Sequence, residues 1–309
     1  MEKIIAIVGP TAVGKTALAI RLANELDGEI ISCDSMQIYR GMDIGTAKPT
    51  DDEMAGVPHH LIDIKNPDEE FSCADYAILA KEKISDIIKR GKTPIFCGGT
   101  GLYLDSVISI ESFSSGVKDE AYRLELEEYA RENGNGALHK LLAEVDMESA
   151  QQIHENNVKR VIRALEIYKC TGIKKSTWDE RSKEQKPPYD ATVIFLNCKD
   201  RDALVKRIEG RVDIMLENGL LAEAKALYEK GYLNEKYTSF SAIGYKELLP
   251  YIEGVDTLEN CVERLKISTR QYAKRQLTWF SRKPNYNTIY VDECDPFEAA
   301  LQIIRGQNG

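Results

Sequence analysis

The sequence has little of what would classify it quickly. Among 309 residues there are four histidines and two tryptophans, and the seven cysteines (Cys33, Cys73, Cys97, Cys170, Cys198, Cys261, Cys294) include no C-x-x-C pair and no histidine at ligand spacing. That excludes a zinc ribbon or a disulfide framework and leaves reduced core residues. No apolar run approaches the length of a membrane span. Met1 leads into a strand-like run instead of a basic, then apolar, signal segment, so a cytoplasmic protein without a membrane partner is expected. Positive charge is not in excess either: 41 Lys and Arg stand against 50 Asp and Glu, a net charge of −9. A chain coated uniformly for nucleic acid is therefore excluded, although a local basic groove is not, because charge acts locally. With 43% hydrophobic and 29% charged residues, what remains is an ordinary globular protein of one large or two modest domains.

What is present begins at the first residue. Met1 to Val8 reads as a buried strand, and Gly9-Pro10-Thr11-Ala12-Val13-Gly14-Lys15-Thr16 follows with the G-x-x-x-x-G-K-[ST] spacing of a phosphate-binding loop. A helix over 17–26 continues it, so loop amides and the positive end of the helix dipole converge on one anion. Lys15 then bridges phosphate oxygens, and the Thr16 hydroxyl is the candidate ligand for Mg²⁺.

Further on, Gly28 to Cys33 reads as a second strand ending at Asp34-Ser35-Met36-Gln37. In a doubly wound sheet, Asp34 then points into the crevice of the phosphate loop, either as a base or as a carboxylate steering Mg²⁺ through water. The stretch Arg40 to Pro49 is aperiodic with two glycines, a functional loop over that crevice. A third strand is expected over Val57 to Ile64; the adjacent His59 and His60 cannot both face one site on it and receive no role. A helix from Ser72 and a strand Thr93 to Cys97 lead to Gly98-Gly99-Thr100-Gly101. There the glycines permit a ligand close to the backbone, and Thr100 offers a hydroxyl where a triphosphatase places a carboxylate.

Composition changes near Glu111. Charged amphipathic helices over 118–131 and 137–145, separated by Asn133-Gly134-Asn135-Gly136, and a third over 147–167 form a helical insertion. Lys174 to Pro188 reads as a mobile connection. The sheet resumes over 191–196 and is followed by a helix over 201–228 with Arg207 and Arg211 on one face, set either to clamp a diphosphate or to pair with Glu209, Asp213 and Glu217. A long helix over 258–280 carries Lys266, Arg270, Lys274 and Arg275 interleaved with Tyr272 and Trp279, a pattern suited to a nucleic-acid backbone. The expected class is α/β: a P-loop-type parallel sheet flanked by helices, in two parts (1–112 and 189–309, the second with C-terminal helices), with an all-helical insertion lobe (113–188).

The phosphate loop, the run from Asp34 to Pro49, Gly98-Gly99-Thr100-Gly101-Leu102-Tyr103 and Arg275-Gln276-Leu277-Thr278-Trp279-Phe280, in that order, closely resemble the tRNA dimethylallyltransferases, also called tRNA isopentenyltransferases. The resemblance runs over essentially the whole chain. It implies transfer of a dimethylallyl group from dimethylallyl diphosphate to N6 of adenosine 37, beside the tRNA anticodon, with Mg²⁺ and release of diphosphate. A zinc module of the kind eukaryotic members append at the C-terminus is absent, which points to a bacterial-type enzyme, expected to be a monomer.

On that resemblance Asp34 is the base that accepts the N6 proton. Lys15, Thr16 with Mg²⁺, the loop amides and Arg211 neutralise the leaving diphosphate. Thr11 adds a hydroxyl contact, and Thr100 braces either the base or the diphosphate. The tRNA-contacting stretches are Asp34, Ser35, Met36 and Gln37, then Lys159, Arg160, Val161, Ile162 and Arg163, with Thr100, Arg123, Arg275 and Gln276. Val158-Lys159-Arg160 stands where many relatives have Pro-Gln-Arg, which favours Arg160 over Lys159. Two other readings compete: an isopentenyltransferase acting on free AMP, ADP or ATP, and a P-loop kinase. The insertion and the basic helix favour a macromolecular acceptor.

Overall fold

The computed structural model describes residues 1–109, 119–183 and 187–306. The expected boundary at 112/113, and Lys118 and Lys186, lie outside them. Two compact units divide the chain: Met1–Val107 with Tyr189–Gly309, and Ile108–Pro188.

In the first unit, six strands form one parallel sheet: β1 Lys3–Val8, β2 Gly28–Ser32, β3 His59–His60, β4 Thr93–Gly98, β5 Asp190–Asn197 and β6 Asn287–Tyr290, in the order β3-β2-β4-β1-β5-β6. A parallel sheet covered on both faces needs strands that are apolar throughout. Ile4, Ile5, Ala6, Ile7 and Val8 of β1 are accordingly all buried. The helix Lys15–Glu25 packs Leu18, Leu22 and Ala23 on one face, joined by Leu301 and Ile304 of the closing helix Pro296–Gly306. Successive connections leave β1 toward β2 and β4 toward β5, so the order reverses between β1 and β4. Ligand crevices of α/β sheets open at such a reversal, at the carboxyl ends of the strands. Val8 pairs with Gly98, and Ser32 with Cys97, which sets the loops after β1, β2 and β4 at one level.

Several elements depart from the sequence reading. The third strand shrinks to His59–His60, where His60 Nε2 meets the buried Glu29 carboxylate at 2.7 Å and His59 Nδ1 meets the Val57 carbonyl. The helix expected over 201–228 is two, Arg201–Glu217 and Leu220–Glu229, parted by Gly219 at φ 100°. β6 and Pro296–Gly306 had no counterpart in the reading.

The second unit is all helical: Glu120–Asn133, Asn135–Val145, Met147–Gln152, Val158–Thr171 and Lys175–Lys183. Leu138, Leu142, Val161 and Leu165 make its core. The helix expected over 147–167 breaks between Gln152 and Val158, and the supposed mobile connection contains a helix instead. Asp146 starts two of these helices. Its buried carboxylate accepts the Ser149 N–H at 3.1 Å, starting one helix, and the Ser176 N–H at 3.0 Å, starting another.

Candidate active site

The phosphate loop leaves β1 at Gly9, whose φ of 146° suits glycine alone; a Cβ there would lie 2.3 Å from the Leu196 carbonyl oxygen. Gly14, at φ 94°, precedes the helix without a capping side chain, so nothing of its own covers the helix N-terminus. Lys15 folds inward, and its Nζ donates to the Pro10 carbonyl at 2.7 Å. Burial lowers its pKa to about 8, with Arg211 adding to the effect and Cys97 and Asp34 opposing it. Arg211 Nη1 donates to the Thr11 hydroxyl at 3.2 Å, which brings the Arg201–Glu217 helix onto the loop. Burial also weakens Arg211's hold on its proton, but a guanidinium stays charged. Two cations thus face one cavity of ≈ 850 Å³.

Asp34 lies on the wall of that cavity, within electrostatic reach of both cations. Its Oδ1 accepts the Met36 N–H at 2.9 Å, closing a turn. Thr100 holds the same turn from β4: its N–H donates to the Cys33 carbonyl, and its hydroxyl accepts the Ser35 N–H, both at 3.0 Å. Tyr272 lies beside Thr100 and Asp34 on the cavity wall. Burial first, and the Asp34 charge second, push its phenol pKa up, so it stays neutral.

The glycines after β4 serve the protein's own packing. A Cβ at Gly98 would meet the Cys33 carbonyl at 2.0 Å, at Gly99 the Gln276 amide at 2.0 Å, and at Gly101 the Trp279 indole at 2.2 Å. No ligand is needed to explain them. Beside β1, Cys97 pairs with Ile7 and lies within electrostatic reach of Lys15, and burial raises its thiol pKa to about 11. Among the described residues no group of three or more His, Cys, Asp or Glu converges as a metal cluster. Thr16 lines the cavity and offers one hard oxygen there, which suits Mg²⁺ if substrate phosphates and water supply the rest.

Of the residues singled out from sequence, Thr11, Ala12, Gly14, Lys15 and Thr16 line this cavity with Asp34 to Gln37, Arg211, Arg275 and Gln276. Gly9, Pro10 and Val13 are buried in the loop's base. Two members are spent on the protein. Gln276, 5% exposed, accepts the Thr11 N–H and donates to the Gly99 carbonyl. Gln37 accepts from the Ser32 hydroxyl and donates to the carbonyls of Thr46 and Ala47.

The charged stripe on Leu258–Phe280 is also partly occupied. Lys266 pairs with Asp213 and Arg270 with Glu209, tying two helices together, while Arg275 is exposed over the Tyr272 ring. Arg207 is exposed and does not line the cavity with Arg211. In the helical unit, Lys159 and Arg160 are exposed, but Val161 and Ile162 belong to its core. Arg123 and Arg163 both bind the fully buried Glu166.

Sequence reasoning missed Tyr272 as a wall residue, Lys48, whose Nζ reaches the Tyr39 carbonyl, Asp43 and Asp63, and Glu223, which gathers the amides of the Arg40 to Pro49 loop. Nothing local marks them, since Glu223 acts on residues about 180 positions away.

Among the described residues no helix is long and apolar enough to cross a membrane. A family profile described as IPP transferase matches residues 37–283. A tRNA dimethylallyltransferase of Bacillus cytotoxicus is 50% identical over 306 residues, covering 99% of this chain and 96% of that protein. The crystal structure of the full-length tRNA isopentenylpyrophosphate transferase of Bacillus halodurans is 48% identical, with a TM-score of 0.71, covering 100% of this chain and 95% of that one. A eukaryotic dimethylallyltransferase, solved acting on tRNA, is 34% identical with a TM-score of 0.84, covering 100% of this chain and 79% of that one. With this coverage, and with the motifs after β1, β2 and β4 gathered at one sheet edge, the chain belongs to the IPP transferase family of tRNA dimethylallyltransferases.

Proposed function

We propose that the protein transfers the dimethylallyl group of dimethylallyl diphosphate to N6 of adenosine 37 of tRNA, next to the anticodon, and releases diphosphate. The observation that carries this reading is the Asp34 carboxylate set with two half-buried cations, Lys15 and Arg211, on the walls of a single cavity. An allylic C–O bond breaks toward the cations, which take up the negative charge left on diphosphate. A C–N bond forms on the Asp34 side, and the proton leaving N6 passes to that carboxylate. The adenine amine is a weak nucleophile because its lone pair is delocalised, so alignment and a positioned base carry the step. Reaching N6 requires the base out of its stack, and a carboxylate that accepts from N6–H selects adenine over guanine.

Mg²⁺ would be held by Thr16 and the donor's own phosphate oxygens, where it supplies charge neutralisation. Thr100 keeps the Asp34 turn in place. Arg275, Lys159 and Arg160 are the exposed cations for the tRNA anticodon stem-loop, and phosphate contacts of this kind orient an RNA without reading its sequence. Arg123 and Arg163 act through Glu166. We read the protein as a monomer, and an unmodified-tRNA acceptor supports work in the cytoplasm.

The test is product mass after incubation with Mg²⁺ and dimethylallyl diphosphate, with unmodified tRNA and AMP in parallel. One dimethylallyl group gained on tRNA adenine alone is the expected result. Gain on AMP alone would move the protein to the free-nucleotide enzymes, and ATP turnover without a prenyl donor would favour a kinase.

A further inference from the structure

Four donors converge on one carboxylate outside the phosphate cradle. Glu223, in the first turn of Leu220–Glu229, receives the backbone N–H of Asp43 at 3.0 Å on Oε2, of Ile44 at 2.9 Å on Oε2 and 3.0 Å on Oε1, and of Gly45 at 3.1 Å on Oε1. The Tyr245 hydroxyl donates to Oε1 at 2.8 Å. Three consecutive amides aimed at one point form an anion nest, and only an acceptor without hydrogens satisfies all of them. Beneath the nest, Tyr245 is fully buried, and its ring lies 2.5 Å from where a Cβ at Gly45 would sit. Lys48 holds the other end of the segment through Asp43 and Asp63.

The consequence falls on Ile44. Ile44 lines the cavity, as do Val212 and Met215 of the Arg201–Glu217 helix, apolar members of a wall that also carries Lys15, Thr16 and Arg211. The donor has the same two parts, a charged diphosphate and a branched hydrocarbon.

We propose that Glu223 is a positioning residue of the transfer reaction: by gathering the Asp43–Gly45 amides it holds Ile44, with Val212 and Met215, as the apolar wall that receives the donor's hydrocarbon. The inference rests on the prenyl-transfer reading and adds a separate determinant for the hydrocarbon end of the donor. A hydrocarbon wall held apart from the cradle acts on dimethylallyl diphosphate and leaves inorganic diphosphate alone.

Glu223→Gln keeps the size of the side chain but turns a donor toward N–H donors. Its expected effect is a rise of about tenfold in KM for dimethylallyl diphosphate, with kcat and the inhibition constant of inorganic diphosphate within about twofold of wild type. Hydrogen exchange should quicken in the 42–46 segment alone. An unchanged donor KM in the folded variant overturns the proposal. So does a parallel loss of diphosphate affinity with exchange raised through the sheet, since that marks a general structural role. If Glu223→Gln folds poorly, Ile44→Ala removes the wall and keeps the nest; the same split between donor and diphosphate is expected, and its absence overturns the proposal. Wild-type protein that transfers nothing to tRNA sinks the parent reading instead, and the exchange measurement then decides by itself whether Glu223 anchors the turn.

Discussion

The side-chain amide of Gln276 accepts the backbone N–H of Thr11 at 2.8 Å across 265 residues of sequence, and its Nε2 donates to the Gly99 carbonyl at 3.0 Å. One buried residue on the long C-terminal helix therefore joins the phosphate loop to the turn after β4. Thr11 in turn receives Arg211, so the bridge also sets where one of the two cations stands.

Gln276→Leu fills the space but leaves an N–H and a carbonyl unpaired, each costing about 1–3 kcal/mol when buried. A loss of about 2–4 kcal/mol in unfolding free energy is expected, together with weaker diphosphate binding. Gly99→Ala should break the same bridge from the other side, because its Cβ would sit 2.0 Å from the Gln276 amide nitrogen. Denaturant unfolding and diphosphate calorimetry on both variants check this; wild-type stability in Gln276→Leu would contradict it.

Lys15 gives the site a pH dependence. With its pKa lowered to about 8 from an ordinary 10.5, the folded protein sheds this proton before the unfolded chain does. Below pH 8 both states are charged and the cost of burial is present in full. Between about 8 and 10.5 the unfolded state binds more proton, so this group's contribution to the stability of the ligand-free protein rises with pH. Anion binding runs the other way. Diphosphate restores the charge, so binding at pH 9 should include proton uptake at Lys15. Calorimetry in two buffers of different ionisation enthalpy measures the uptake, and Lys15→Arg should abolish it because guanidinium is charged in both states. Uptake near zero in the wild type would contradict the assignment.

In the helical unit, Glu166 is fully buried and holds Arg123, Arg163 and the Asp119 N–H. Burial pushes its pKa up, and the two guanidinium groups more than reverse that, leaving it below the usual 4.5. A carboxylate of depressed pKa contributes stability that is complete above 4.5 and is lost as pH falls through the folded value. Glu166→Gln should cost this unit about 3 kcal/mol, at the low end for a broken buried pair because both arginines keep some contact with water. Trp178 fluorescence in a Trp279→Phe background reports the unit's unfolding. An unchanged midpoint at pH 7 would show that the arginines stand free of Glu166.

The phosphate loop was legible in the sequence because its determinants are local: two glycines, a lysine and a threonine between an apolar strand and a helix. The ends of the Leu258–Phe280 helix were legible for the same reason, with Thr257 capping it through the Asn260 N–H. The glycines after β4 misled, since the atoms they approach, on Cys33, Gln276 and Trp279, are distant in sequence. Lys266 and Arg270 read as RNA-facing because their partners Asp213 and Glu209 lie on another helix. Asp146 has the residue type of a helix start, but its second task at Ser176 exists only once the chain folds back.

The most direct test of the account is single-turnover transfer by Asp34→Asn, with donor and tRNA dissociation constants measured alongside. Asparagine keeps an oxygen that can accept the Met36 N–H, but it lacks the basicity to take the N6 proton. A rate lower by about 10²–10⁴, with both dissociation constants within about threefold of wild type, is the predicted result. A near-wild-type rate at saturating donor and tRNA would contradict the claim that Asp34 is the base.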